Sequence, residues 1–180
     1  FYLFYNSVND SPTAAPTNNE YKILLATSSD GIAWAKQGIV VNDGGAEDFD
    51  SYYVKAPKVF CTDSGFEMIY GGATIADNSY RFGYAISSDG YNWQKIGALN
   101  YPDGLRTAIG PALKENYQIR IWYKNDPFND SPLMVSRSGA TPQLIPFYGN
   151  PLISSHTIGV RKVKQHDNEY RMFFVERDES

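Results

Sequence analysis

The sequence is poor in the residues that usually advertise chemistry. It has one cysteine, Cys61, and two histidines in 180 residues. A single cysteine cannot close an internal disulfide, and so small a Cys/His set argues against a zinc site. Cys61 falls in the run Lys58-Val-Phe-Cys-Thr62 and reads as an inert strand residue. There is no basic run, and the net charge is −4, which argues against nucleic acid or an anionic membrane as partner. No apolar stretch is long enough to span a bilayer. No segment shows a convincing helical period. The chain opens on Phe1, without Met and already inside an apolar run, so the natural N-terminus is expected to be absent and no targeting signal can be judged. Nothing in the residues calls for a metal or a cofactor.

What the chain has in quantity is aromatic: 14 Tyr and 10 Phe, a composition that favours β structure and surfaces that stack on flat or sugar-like ligands. It also has a repeat. Ser28-Ser-Asp-Gly-Ile-Ala-Trp34 returns as Ser87-Ser-Asp-Gly-Tyr-Asn-Trp93, 59 positions later, and each copy runs on into Lys-x-Gly, at Lys36-Gln-Gly38 and Lys95-Ile-Gly97. Asp-Gly between two short apolar runs is a hairpin signal, because Gly accepts a positive φ and Asp bonds to its own backbone. Trp34 and Trp93 are then expected at the start of the return strand, buried against a neighbouring sheet.

Two further elements recur. Phe1-Tyr-Leu-Phe-Tyr-Asn6, Phe66-Glu-Met-Ile-Tyr-Gly-Gly72, Tyr117-Gln-Ile-Arg-Ile-Trp-Tyr-Lys124 and Tyr170-Arg-Met-Phe-Phe-Val175 share an aromatic, alternating pattern. Lys55-Ala-Pro-Lys-Val-Phe60, Ile109-Gly-Pro-Ala-Leu113 and Ile158-Gly-Val-Arg-Lys-Val163 align around Pro57, Pro111 and Val160. Together these give a unit of four strands, complete over about Tyr53 to Ala98. The first unit lacks strand one, and the last stops after strand two. The expected count is thirteen strands, in groups of three, four, four and two. A β-sandwich would use similar hairpins. The aligned four-strand register favours an all-β fold: a β-propeller of four-stranded antiparallel blades, incomplete in this chain at about three blades. One propeller domain over 1–180 is expected, with blade parts at about 1–45, 46–99, 100–150 and 151–180.

The Ser-x-Asp-Gly-x-x-Trp hairpins, the Pro-x-Val-Phe strand and the strand Gly65-Phe-Glu-Met-Ile-Tyr-Gly-Gly72 resemble the five-bladed propellers of glycoside hydrolase families 43 and 32 and their uncharacterised relatives. A sialidase Asp-box is similar but places one more residue between Asp and Trp. The resemblance implies carbohydrate binding or glycosidase-like chemistry on a plant or microbial polysaccharide. It also implies carboxylates at the inner ends of the first strands, since glycoside hydrolysis needs one acid and one base or nucleophile. The sequence departs from that pattern. The first inner strand is missing, Lys55 and Ala56 stand where an acid is expected, and Ile109 takes the acid's place in the next unit.

What remains is Glu47-Asp-Phe-Asp-Ser-Tyr-Tyr53, leading into an inner strand. One reading puts Asp50 or Asp48 in the central pocket, Asp50 as the catalytic candidate, with Tyr52 and Tyr53 as a sugar platform. The other makes the segment an acidic, solvated loop with a turn-capping Asp. Lys55, Arg106 and His156 complete the substrate-binding set by their places relative to Pro57, Pro111 and Val160. Asn9-Asp-Ser-Pro12 and Asn129-Asp-Ser-Pro132 are read as Asx turns. The expected partner is an oligosaccharide or polysaccharide. The competing reading is a non-catalytic propeller module for partner binding or self-assembly. Both ends fall inside a blade, so unpaired edges predict either a fragment of a longer propeller or a homodimer joined through those edges, its ring closed by the second chain.

Overall fold

The structure is a computed structural model that describes residues 1–8, 21–74, 76, 80–99, 109–115, 118–124, 133–137, 143–144, 157–166 and 169–176. These residues form thirteen strands in four antiparallel sheets of three, four, four and two. The grouping is the one the repeat predicts. The strands fall into two units, Phe1–Leu99 and Asn100–Ser180.

In the first unit, β1 (Tyr2–Val8), β2 (Tyr21–Thr27) and β3 (Ala35–Val41) form one sheet in chain order. β4 (Tyr53–Thr62), β5 (Gly65–Ala73), β6 (Tyr80–Ser87) and β7 (Gln94–Ala98) form the next, also in chain order. Neighbours in sequence are neighbours in the sheet because short hairpins leave an antiparallel strand nowhere else to go. The core between the two sheets is made by Ile23, Val41, Val54, Met68, Tyr70 and Ala85, with Phe4, Val40, Phe49, Val59 and Trp93 packed against it.

In the second unit, β8 (Ile109–Glu115), β9 (Gln118–Lys124), β10 (Leu133–Arg137) and β11 (Gln143–Leu144) make a four-stranded sheet. β12 (Thr157–His166) pairs with β13 (Glu169–Glu176) and packs beside β8. Ile109, Ile119, Ile121, Trp122 and Tyr123 are buried. At the far end of β8, Glu115 accepts a hydrogen bond from Tyr170 and pairs with Arg120 at 3.0 Å, tying β13 to the β8–β9 hairpin.

The three strands aligned on Pro57, Pro111 and Val160, namely β4, β8 and β12, share an irregularity. The β4–β5 register shifts between Lys55 and Lys58, β8–β9 between Ile109 and Ala112, and β12–β13 between Thr157 and Gly159 and again between Val160 and Lys162. These shifts bracket the aligned positions Pro57, Pro111 and Val160. A proline has no N–H to give to a ladder and is accommodated where the ladder is already interrupted. At the first bulge Ala56 takes a φ of 54°, rare for a residue with a Cβ, and its N–H donates to Asn6 Oδ1 at 3.1 Å. A side chain of β1 thus secures the distorted backbone of β4.

The two tryptophans part company. Trp93 is partly buried and meets the Phe4 ring edge-on at 5.6 Å. Trp34 is 39% exposed. The expectation of burial is met in part for Trp93 and is corrected for Trp34. Trp34 lies in the hairpin before β3, where it borders open space beside Phe1, Tyr2 and Tyr91 rather than a packed core. Inside the hairpins the two are alike. The Trp34 Nε1–H donates to Gly31 O at 3.2 Å, and Trp93 Nε1–H to Gly90 O at 2.9 Å.

Candidate functional site

The segment from Asn42 to Tyr52 carries the chain from the last strand of one sheet to the first strand of the next. Its four acids have different fates. Asp43 pairs with Lys22 at 2.5 Å. Glu47 is exposed. Asp48 is exposed and caps its own turn, accepting the Gly45 N–H on Oδ2 at 2.7 Å while its own N–H donates to Gly45 O. Asp50 is 1% exposed.

Asp50 is held on three sides. Its Oδ2 accepts a hydrogen bond from the Tyr70 hydroxyl at 2.9 Å and pairs with Lys95 Nζ at 2.8 Å. Its carbonyl accepts the Gly44 N–H at 3.0 Å. The space it fills exists because position 72 has no side chain: a Cβ on Gly72 would collide with Asp50 Cβ and press on the Phe49 ring. Burial and the adjacent Asp50 charge push the Tyr70 hydroxyl pKa well up, so it remains a donor. A buried carboxylate with a donor and a cation on one oxygen is a structural anchor. It fixes the segment that delivers Tyr52 and Tyr53 to the head of β4.

The cation on Asp50 is therefore Lys95, which the sequence presents only as part of Lys-x-Gly, 45 positions away. Arg106 and His156, expected at the same mouth, lie outside the described residues, as do the Asn9 and Asn129 loops.

A second cluster forms where β2, β4 and β6 begin, each of them on a tyrosine: Tyr21, Tyr53 and Tyr80. The strands put these residues at one end of the two sheets. Tyr53 meets Tyr21 edge-on at 6.3 Å, and lies tilted to Tyr80 at 6.4 Å and to Tyr52 at 5.4 Å. The Lys55 ammonium sits among them, 4.5 Å from the Tyr53 ring centre, 5.2 Å from Tyr80 and 5.6 Å from Tyr21. Tyr53 and Tyr80 are buried, at 8% and 6% exposed, whereas Tyr21, Tyr52 and Lys55 are partly open. Gly71, opposite Lys55 in the ladder, gives the Tyr80 hydroxyl its room. Of the expected platform, then, Tyr53 is a buried support and Tyr52 keeps an accessible ring. Sequence reasoning missed Tyr21 and Tyr80. The signal was there, since both open strands aligned by the repeat.

At the opposite end of the first unit an open cavity of about 520 Å³ lies between the two hairpin tips, lined by Phe1, Tyr2, Ser28, Trp34 and Tyr91 among others.

The sequence matches no family model and no curated protein. Solved structures do match. A glycoside hydrolase family 32 β-fructofuranosidase of Bombyx mori aligns with a TM-score of 0.64 at 14% identity, covering 96% of this chain and 39% of its own. A family 117 glycoside hydrolase of Zobellia galactanivorans aligns at 0.65 and 14% identity, over 97% of this chain and 62% of its own. A thermostable family 43 glycoside hydrolase aligns at 0.59 and 15% identity, over 88% and 57%. The likeness is to glycosidase-type five-bladed propellers, and the all-β antiparallel sheets are consistent with part of one. This chain spans about half the length of the propellers it matches.

Proposed function

We propose that this chain is the carbohydrate-recognising portion of a glycosidase-type propeller, and that the end of the first unit where β2, β4 and β6 begin is the sugar-facing surface. The observation that carries this reading is the convergence of Tyr21, Tyr52, Tyr53 and Tyr80 on the opening turn of an inner strand. Aromatic faces bind the C–H faces of sugars by burial and stacking. Ring-based recognition, rather than hydrolysis, is what these residues support. Hydrolysis needs two carboxyl groups flanking a bond. Asp50 is engaged by Tyr70 and Lys95, Asp43 by Lys22, and Asp48 by its own turn. Asp50 enters the reading as a positioning residue for Tyr52 and Tyr53. Arg106 and His156 remain proposed members of the same surface.

The test is calorimetry against arabinan, xylan, fructan and mannan oligomers and acidic oligosaccharides. Binding to at least one class is expected, weakened by ~1–3 kcal/mol in Tyr52→Ala through loss of a ring stack or hydrogen bond. Absence of binding to all of them overturns the reading.

A second reading has its own observation. Leu3 and Ile39 are 46% and 47% exposed on the β1–β3 sheet, and β1 has a partner on one side only among the described residues. A face and edge of this kind suit a further blade. We propose that a second copy of the chain seats there. Light scattering at working concentration checks it: a dimer is expected, and a strict monomer refutes self-assembly.

A further inference from the structure

Four lysines of the first unit are buried or partly buried, Lys22, Lys55, Lys58 and Lys95, and two of them are paired with carboxylates. Lys22 is neutralised by Asp43 at 2.5 Å and Lys95 by Asp50 at 2.8 Å. Lys55 has only rings around it, and among the described residues no carboxylate pairs with it. Rings offset part of the cost of taking an ammonium out of water, but less than an anion does. Burial accordingly lowers the Lys55 pKa.

The surroundings also fix what kind of anion fits. The amine rests on Tyr53 and Tyr80, which are buried, so it cannot retreat beneath them. Tyr21 stands beside it and Tyr52 lies against Tyr53, each with part of its surface open. The combination is one positive charge bordered by aromatic surface. It suits a ligand with one negative charge and an apolar ring face. A highly charged anion would call for several cations, and the chain's net charge of −4 disfavours it further.

Resting on the carbohydrate reading above, we propose that this site takes an acidic sugar: the carboxylate of a uronic acid residue on Lys55 Nζ, with the pyranose ring against Tyr21 and Tyr52. The ligand's charge then occupies the role that Asp43 and Asp50 play for Lys22 and Lys95. The bulge at Ala56 and Pro57, directly after Lys55, interrupts the ladder here and is held from β1 by Asn6. The amine therefore stands on a fixed piece of backbone.

The test compares trisaccharides of galacturonate and of glucuronate with their methyl esters by calorimetry, on the full chain. The ester keeps the ring and removes the charge. At least one acid is expected to bind about tenfold or more tightly than its ester, as for a hydrogen bond to a charged group. Lys55→Met, which keeps the stem, should abolish that preference, and Lys55→Arg should retain most of it. Lys58→Met is the control for diffuse charge and should leave the preference intact. Circular dichroism and thermal unfolding establish that each variant is folded.

Equal binding of acid and ester overturns the inference while leaving sugar recognition standing. An equal loss in Lys58→Met overturns it in favour of general electrostatics. Displacement of the trisaccharide by an equal concentration of inorganic phosphate also overturns it, by making the site a generic anion site. Failure of every neutral and acidic glycan to bind removes the underlying carbohydrate reading as well.

Discussion

Lys95 Nζ lies 2.8 Å from Asp50 Oδ2, and the two come from opposite margins of one sheet: Lys95 from its last strand, Asp50 from the segment that precedes its first. The pair spans the sheet and clamps the crossing segment onto it. The carboxylate is buried, whereas the Lys95 side chain is 28% exposed. Removing the lysine would thus strand a charge that water cannot reach.

Lys95→Met should destabilise the first unit by about 2–4 kcal/mol, toward the lower part of the range for a broken buried pair because Lys95 is partly solvated. Tyr70→Phe should cost about 1–2 kcal/mol. The double variant Asp50→Leu/Lys95→Met should lose less than the sum of its parts, because no charge is left buried. Urea unfolding of the four proteins measures the coupling, and strict additivity would remove the clamp from the account.

Gly71 and Gly72 leave room for Tyr80 and Asp50 respectively. Gly71→Ala is expected to cost at least about 1–3 kcal/mol through overpacking. Adding Tyr80→Phe removes the hydroxyl oxygen but leaves the ring carbons Cζ and Cε2 in the way, so it should recover only a small part of that loss. Thermal unfolding of single and double variants checks it.

The two tryptophans should behave unequally. Trp93→Ala should approach the ~3–5 kcal/mol of a truncated buried aromatic, while Trp34→Ala should cost about 1 kcal/mol. With Trp93 as the remaining reporter of the first unit, Trp34→Phe should show weaker acrylamide quenching than Trp93→Phe.

Acid should loosen the hairpin tips only at low pH. Hydrogen bonds from the Ile32 and Ala33 backbone and the Ser28 side chain hold Asp30 at about 2, below its ordinary 3.8. The Asn92 backbone and side chain, with the Tyr91 N–H, depress Asp89 further. A carboxylate whose folded pKa is depressed contributes its full stability above the unfolded value, and loses it as pH falls through the folded one. The contribution is therefore complete above 3.8 and fades below it, down to about 2 for Asp30 and lower still for Asp89. Thermal midpoints across that range should fall less steeply in Asp30→Asn and Asp89→Asn than in the native sequence. Parallel curves would contradict the assignment.

Much of the architecture was legible before any coordinates. The four-strand register came from the repeat, and the bulges lie where Pro57, Pro111 and Val160 align. Both are local features, written in consecutive residues. The site was less legible because its contacts are not local. Nothing near Asp50 points to Lys95. Nothing near Lys55 says that three strand-opening tyrosines will meet on it. The exposure of Trp34 follows from the open space beside its hairpin, which the residues of that hairpin cannot express.

The hairpin tips are self-sufficient. Ser28 and Asp30, like Ser87 and Asp89, spend their hydrogen bonds within the turn, and each indole closes on a glycine carbonyl three residues back. A turn that satisfies itself can be copied by gene duplication without renegotiating its surroundings, and can be dropped from one copy without harming the others. The Asp50–Lys95 tie is the opposite kind of feature, because both halves must be inherited together. The repeat should therefore diverge piecemeal at its tips and in concert across its sheets. The second four-stranded sheet fits that pattern: its last strand begins at Gln143 with neither the Asp-Gly nor the Trp.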